Sequence, residues 1–193
     1  MVSIAILLFL IMDPFGNLVV LNSLLAEIPV ARRRLVILRE AFIATVILLL
    51  AAFFGGYFLD LLGLQEHSLR LAGGIVLFLI ALGMLFPSRR MIEEPATEAP
   101  LIVPIAMPLI AGPSAISMVI LFSENHANSI VAAAILLAAG VSALLLVSSS
   151  VIFSFLGRRG ATALERLMGM LLIMLSVQMI LDGINAYLDS RVG

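Results

Sequence analysis

The 193-residue chain has no cysteine, which excludes disulfides, cysteine-ligated zinc and thiol chemistry. Histidine is nearly absent: His67 and His126 both fall in predicted loops, so a catalytic or metal-binding histidine site inside a membrane is excluded. Lysine is missing altogether, and all eleven basic residues are arginine. Charge of either sign is scarce, at 12% of residues, where a soluble domain carries about a quarter. What is abundant is apolar: 63% of the chain. A core this small cannot bury that much, whereas a bilayer supplies an apolar solvent for it. These proportions point to an integral membrane protein and away from a water-soluble enzyme; no nucleic-acid partner is expected.

A membrane helix needs about 20 largely apolar residues. Residues 41–59, 71–88, 99–123 and 127–157 contain no Asp, Glu, Lys or Arg. A fifth run spans 167–188 with only Asp182 as a charge, and a sixth spans 1–26 with only Asp13 as a charge in its interior. Six spans are predicted. The first lacks a basic n-region and a small-residue cleavage site, so it reads as a span and not as a signal peptide. Nine arginines (Arg32, Arg33, Arg34, Arg39, Arg89, Arg90, Arg158, Arg159 and Arg166) belong to loops one-two, three-four and five-six with their flanks, against Arg70 and Arg191 on the other side. By the positive-inside rule those loops are cytoplasmic and both termini face outward. Re-entrant first and fourth segments would divide the arginines seven to four, a weaker bias, so full crossing is preferred.

The chain also resembles itself. R-L-A-G-G-I-V-L-F-L from Arg70 matches R-L-M-G-M-L-L-I-M-L from Arg166, and D-P-F-G from Asp13 precedes G-P-S-A from Gly112 by a similar offset. Chance matching in an apolar alphabet is the alternative; matched Arg, Gly and Pro positions weigh against it. The reading is two three-helix repeats, residues 1–87 and 101–193, joined by a charged cytoplasmic linker at 88–100. An odd number of spans per repeat inverts the second copy, an arrangement typical of transporters.

Spans one and four contain helix breakers. Twelve helical residues carry the chain roughly 18 Å, placing Asp13 near the midplane. Asp13 followed by Pro14, Gly16 and Asn17 reads as a cap with proline in the first helical position, so span one is expected to be two half-helices with an unwound joint. Pro104, Pro108, Gly112 and Pro113 do the same in span four, with Ser114 and Ser117 opening its second half. Such joints offer N–H groups to a carboxylate and bare carbonyls to a cation, which together suit a zwitterion. The plainer alternative is a packing kink capped by Asp13.

Gln178, Asp182 and Asn185 share one helical stripe and are expected to face the bundle interior, or else the outer interface. Asp13 or Asp182, held in a poor dielectric, is a candidate carrier of a coupling proton. Arg39, Glu40, Glu165 and Arg166 read as snorkelling residues and local ion pairs at span ends. Gly55, Gly56, Gly73, Gly74, Ala139, Gly140 and Ala143 read as close-packing positions.

I-M-D-P-F-G-N-L from Ile11, P-I-A-M-P-L-I-A-G-P from Pro104, A-L-E-R-L-M-G from Ala163 and Q-M-I-L-D-G-I from Gln178 together resemble the MarC family over essentially the whole chain. The resemblance implies a six-span membrane protein and transport of neutral amino acids. One departure is at Val19 and Val20, where relatives often carry proline, which predicts a straighter second half-helix. The expectation is an all-helical inverted-repeat transporter holding a small neutral amino acid between spans one and four. Asp13, Gly16 and Asn17 would orient or couple; Gly112, Pro113, Ser114 and Ser117 would offer backbone and hydroxyl groups; Gln178 and Asp182 would complete the cavity. No cofactor is expected; protons or sodium are the candidate coupling ions, and small-residue faces permit a homodimer. A cation channel or exporter and a non-transporting scaffold are the rival classes. No nucleophile, base and orienter recur at enzyme-like spacing.

Overall fold

A computed structural model describes residues 1–18, 21, 25, 29–86 and 110–192. The breakers Pro104 and Pro108, the departures Val19 and Val20, and the linker with Arg89 and Arg90 lie outside the described residues.

The described chain is all helical: α1 (Val2–Met12), α2 (Val30–Leu62), α3 (Glu66–Leu85), α4 (Pro113–Asn125), α5 (Asn128–Val147) and α6 (Ser149–Val192). Among the described residues, four helices are long and apolar enough to cross a membrane: Arg32–Leu62, Glu66–Leu85, Asn128–Val147 and Ser149–Arg191. Helix α1 rises only about 16 Å over its 11 residues, too short to cross a hydrocarbon layer of roughly 30 Å. Large apolar side chains cover the outside, among them Phe42, Phe54, Phe58, Leu79, Leu144 and Phe155, the last 90% exposed. A water-soluble fold does not tolerate such a belt; hydrocarbon solvates it.

Several boundaries differ from expectation. Arg32, Arg33 and Arg34 lie inside the first turns of α2, not in a loop, because Pro29 starts the helix immediately before them. The apolar run 127–157 is not one helix: α5 ends at Val147, Ser148 forms a turn, and α6 breaks at Gly157, whose positive φ of 64° departs from helical geometry. His67 sits in the first turn of α3 with its ring 5.2 Å from that of Tyr187. Helix α2 ends at Gly63, in the left-handed conformation. The Gly63 N–H donates to the Asp60 carbonyl and the Leu64 N–H to the Leu59 carbonyl, a Schellman closure that turns the chain into α3.

Helix α3 runs antiparallel to the second part of α6, and glycines set their distance. A β-carbon on Gly74 would lie 3.1 Å from the Ser176 carbonyl, and one on Gly169 3.2 Å from the Ala81 carbonyl. Gly183 lies as tightly on Leu71. Lipid offers no hydrophobic drive to join helices, so close backbone approach of this kind carries the association. Gly140 has no part in this; nothing lies within 4 Å of its position. Helix α1 packs on α5, α4 packs on α2 and α3, and α2 packs on α5. One apolar core draws on all six, with Leu8, Leu48, Leu77, Val119, Ile135 and Leu172 fully buried.

Candidate functional site

Asp13 ends α1 in the left-handed conformation, φ 42° and ψ 60°, where only a short polar side chain is readily accepted in place of glycine. Its N–H closes α1 onto the Phe9 and Leu10 carbonyls at 3.1 and 3.2 Å. Its carboxylate Oδ1 accepts the Gly16 N–H at 3.0 Å, and its carbonyl accepts the Asn17 N–H at 3.1 Å. One residue therefore terminates a helix and caps the following turn, with Pro14 in that turn's first position. The Asn17 side chain donates from Nδ2 to the Met12 carbonyl at 3.0 Å, satisfying an acceptor that a helix end leaves open. Asp13 is 5% exposed.

Gly16 is required by space. A β-carbon there would lie 2.9 Å from Asp13 Cγ and would overlap both Asp13 Oδ2 and the Met84 methyl of α3. Met84 also rests on Gly169 of α6, one turn after Glu165. The Glu165 carboxyl lies within electrostatic reach of Asp13.

The other expected half of the site surrounds the start of α4. Gly112 is its extended cap residue, Pro113 takes the first position, and the Ile116 N–H donates to the Gly112 carbonyl at 3.0 Å. No side chain caps α4. Ser114 and Ser117 are buried, Ser117 directly against Gly73 of α3. Between α3 and α4 is an open cavity of about 450 Å³, lined by Leu69, Ala72, Gly73, Val76, Ala111, Pro113, Ile116 and Ser117. Ser117 supplies its one polar side chain. Helices α1 and α4 touch, but Asp13, Gly16 and Asn17 do not line this cavity.

Gln178 and Asp182 are placed differently from the inward stripe expected. Gln178 and Asn185 are exposed and Asp182 is partly so, and Gln178 Nε2 donates to Asp182 Oδ1 at 2.8 Å. Paired one turn apart on α6, they satisfy each other and need no interior partner.

Glu40, read as a residue of the span end, is completely buried at 0% exposure. Its Oε1 accepts from Arg39 Nε at 3.0 Å and Nη2 at 2.8 Å, while Oε2 has no hydrogen-bond partner. The signal was in the sequence: Ile37, Glu40, Ala41, Ala44 and Leu48 form one helical stripe, and its other members are small or apolar and buried.

Comparison with known proteins agrees with a membrane protein. The chain is 42% identical over 191 residues to the UPF0056 inner membrane protein YhgN of Escherichia coli, covering 97% of each. It is 42% identical over 189 residues to a UPF0056 membrane protein of Buchnera aphidicola, covering 96% of each. A UPF0056 membrane protein of Methanocaldococcus jannaschii is 35% identical over 196 residues, covering 95% of this chain and 86% of that one. No solved structure matches. A family model described as MarC family integral membrane protein matches residues 1–188, and the chain belongs to the MarC family.

Proposed function

We propose that this protein is a carrier of small neutral solutes, neutral amino acids foremost, and not an enzyme. In this reading the chain crosses the membrane six times as two inverted three-helix repeats, with spans one and four broken near the midplane and both termini outside. The observation that carries it is the joint at Asp13: a buried carboxylate held in the left-handed conformation between a helix end and a new turn, which this reading puts near the membrane midplane. An acid in that position is costly, and in membrane proteins such residues serve ligands and ions. A second interruption, Gly112–Pro113, occupies the corresponding place before α4. The packing has the reciprocity an inverted repeat requires, α1 on α5 as α4 on α2, with α3 against α6.

The cavity beside Pro113 and Ser117 would take the apolar side chain of the solute and backbone groups at the Gly112 joint a charged end, while the joint at Asp13, which does not line that cavity, would orient or couple. Protons or sodium would couple the cycle, without a cofactor. Thermal-shift screening of the purified protein tests the reading, since a ligand of the folded state raises its apparent stability. A shift with small neutral amino acids that disappears in Asp13→Asn or Gly112→Leu supports it. No shift with any of them, together with no uptake into proteoliposomes, refutes it. The proximity of Glu165 to Asp13 favours a cation pathway as the second reading, for which conductance without amino acid is the sign.

A further inference from the structure

The two chain interruptions share a turn and differ in one group. At the first, the Asn17 N–H donates to the Asp13 carbonyl at 3.1 Å; at the second, the Ile116 N–H donates to the Gly112 carbonyl at 3.0 Å. D-P-F-G from Asp13 and G-P-S-A from Gly112 put Asp13 opposite Gly112 and Gly16 opposite Ala115. The Gly16 N–H is taken by the Asp13 carboxylate, at 3.0 Å. Gly112 has no side chain to do the same, and the N–H groups of Ser114 and Ala115 have no hydrogen-bond partner among the described residues. The first joint carries its own carboxylate. The second has none of its own.

A side chain points to the same place. Ser117 is 5% exposed and lines the α3–α4 cavity. Helical serines readily bond back to their own backbone, as Ser123 does to the Val119 carbonyl and Ser176 to the Ile173 carbonyl. The Ser117 hydroxyl has no such bond and no other partner among the described residues. Pro113, Ile116 and Ser117 stand at i, i+3 and i+4 on the cavity face of α4, and a helical side chain leans toward the N-terminus. The hydroxyl therefore leans toward the free N–H groups.

We propose, resting on the carrier reading of this cavity, that the charged end of the solute is a carboxylate seated at the start of α4, in the role that the Asp13 carboxylate fills at the first joint. One oxygen accepts from the free N–H groups and the other from Ser117 Oγ, while the positive end of the α4 dipole offsets the charge. That partial charge suits a monoanion and leaves a dianion uncompensated. The apolar tail lies in the cavity along Leu69, Ala72 and Val76. No acid is among the described lining residues, and residues 101–109, which precede the joint, carry no polar side chain. An α-amino group has no ionic partner among them, so the ligand class is apolar monocarboxylates, aminated or not.

Isothermal titration calorimetry of the purified full chain at neutral pH tests the proposal with leucine, isocaproate (leucine without its amino group), isocaproamide (the uncharged amide) and isoamylamine (leucine without its carboxylate). Isocaproate should bind within a few-fold of leucine, and the amide and the amine at least roughly ten-fold more weakly, the worth of one hydrogen bond to a charged group. Ser117→Ala should weaken isocaproate by a similar factor. Gly112→Asp should abolish isocaproate binding while melting no lower than the wild type: Gly112 is extended, as capping residues are, and the new carboxylate would take the free N–H groups itself. Isocaproate binding no tighter than the amide or the amine overturns the proposal, whatever leucine does, and so does full affinity in Ser117→Ala or in Gly112→Asp. Should Gly112→Asp not fold, the ligand series and Ser117→Ala decide. Isocaproate binding without uptake of any solute would refute the carrier and leave this site standing; leucine uptake without isocaproate binding would do the reverse.

Discussion

Replacing Gly16 by alanine adds one methyl group at a point where three elements meet. The new β-carbon would lie 2.9 Å from Asp13 Cγ and would overlap Asp13 Oδ2 and the Met84 methyl. Met84 is flexible and can swing away. Asp13 cannot retreat without lengthening the 3.0 Å bond from the Gly16 N–H to its Oδ1. Overpacking of this kind costs roughly 1–3 kcal/mol, and loss of a capping carboxylate adds about 1 kcal/mol. The sum, about 2–4 kcal/mol, lowers the melting temperature of a chain this size by roughly 5–15 °C. Melting in detergent is followed by far-UV circular dichroism, because the chain has no tryptophan to report by fluorescence. Gly140→Ala is the control: it too adds a methyl group to a glycine, in open space within α5, and should be neutral or slightly stabilising. The double variant Asp13→Ala with Gly16→Ala should be less damaging than the two single effects added, because the methyl group then has no carboxylate to displace. Equal melting of Gly16→Ala and Gly140→Ala would refute the account of the joint.

Asn17→Ala should cost about 1 kcal/mol in the same assay, the worth of its bond to the Met12 carbonyl. Arg39→Ala should be clearly more destabilising than Arg32→Ala, by roughly 1–3 kcal/mol, because it strips the partner from a buried carboxylate whereas Arg32 is exposed. Gln178→Ala should change stability by no more than about 0.5 kcal/mol, since the pair with Asp182 is formed at the exposed surface. Ala72→Leu projects into the α3–α4 cavity from an exposed position, so it should leave melting nearly unchanged while reducing solute uptake several-fold. Unaltered uptake in a folded Ala72→Leu protein would dissociate that cavity from the solute path.

Lipid imposes simple demands on sequence, and the features those demands dictate are legible in it. Long uncharged runs appear as apolar helices because nothing shorter satisfies the backbone across hydrocarbon. The local chemistry of Asp13, Pro14, Gly16 and Asn17 is legible too, since caps and turns are decided by neighbours in the chain. The choice of which face meets which helix is not. The stripe of Gln178, Asp182 and Asn185 has the spacing of an inward face, yet Gln178 and Asp182 are partners of each other, and sequence spacing cannot tell mutual pairing from a ligand site. Glu40 is masked by its neighbour: an arginine followed by a glutamate near a span end reads as a surface pair, although only Arg39 reaches the surface. The α3–α4 cavity has no signal at all, because it is a gap between ordinary apolar residues of elements far apart in sequence.

The glycine seam between α3 and α6 has a mechanical consequence. At Gly74 and Gly169 a β-carbon would come within 3.1 and 3.2 Å of a carbonyl of the facing helix, with the Ile180 and Met84 side chains as close beside it, so the two helices are fitted too tightly to shift without repacking. Sliding either helix by a turn would drive Leu71 or Met84 into main-chain atoms where hydrogen now suffices. The pair is a keel and not a bearing. If the protein is the carrier proposed above, its cycle should move α3 and the part of α6 beyond Gly157 as one body and find its play at chain interruptions such as Asp13, Gly112 and Gly157.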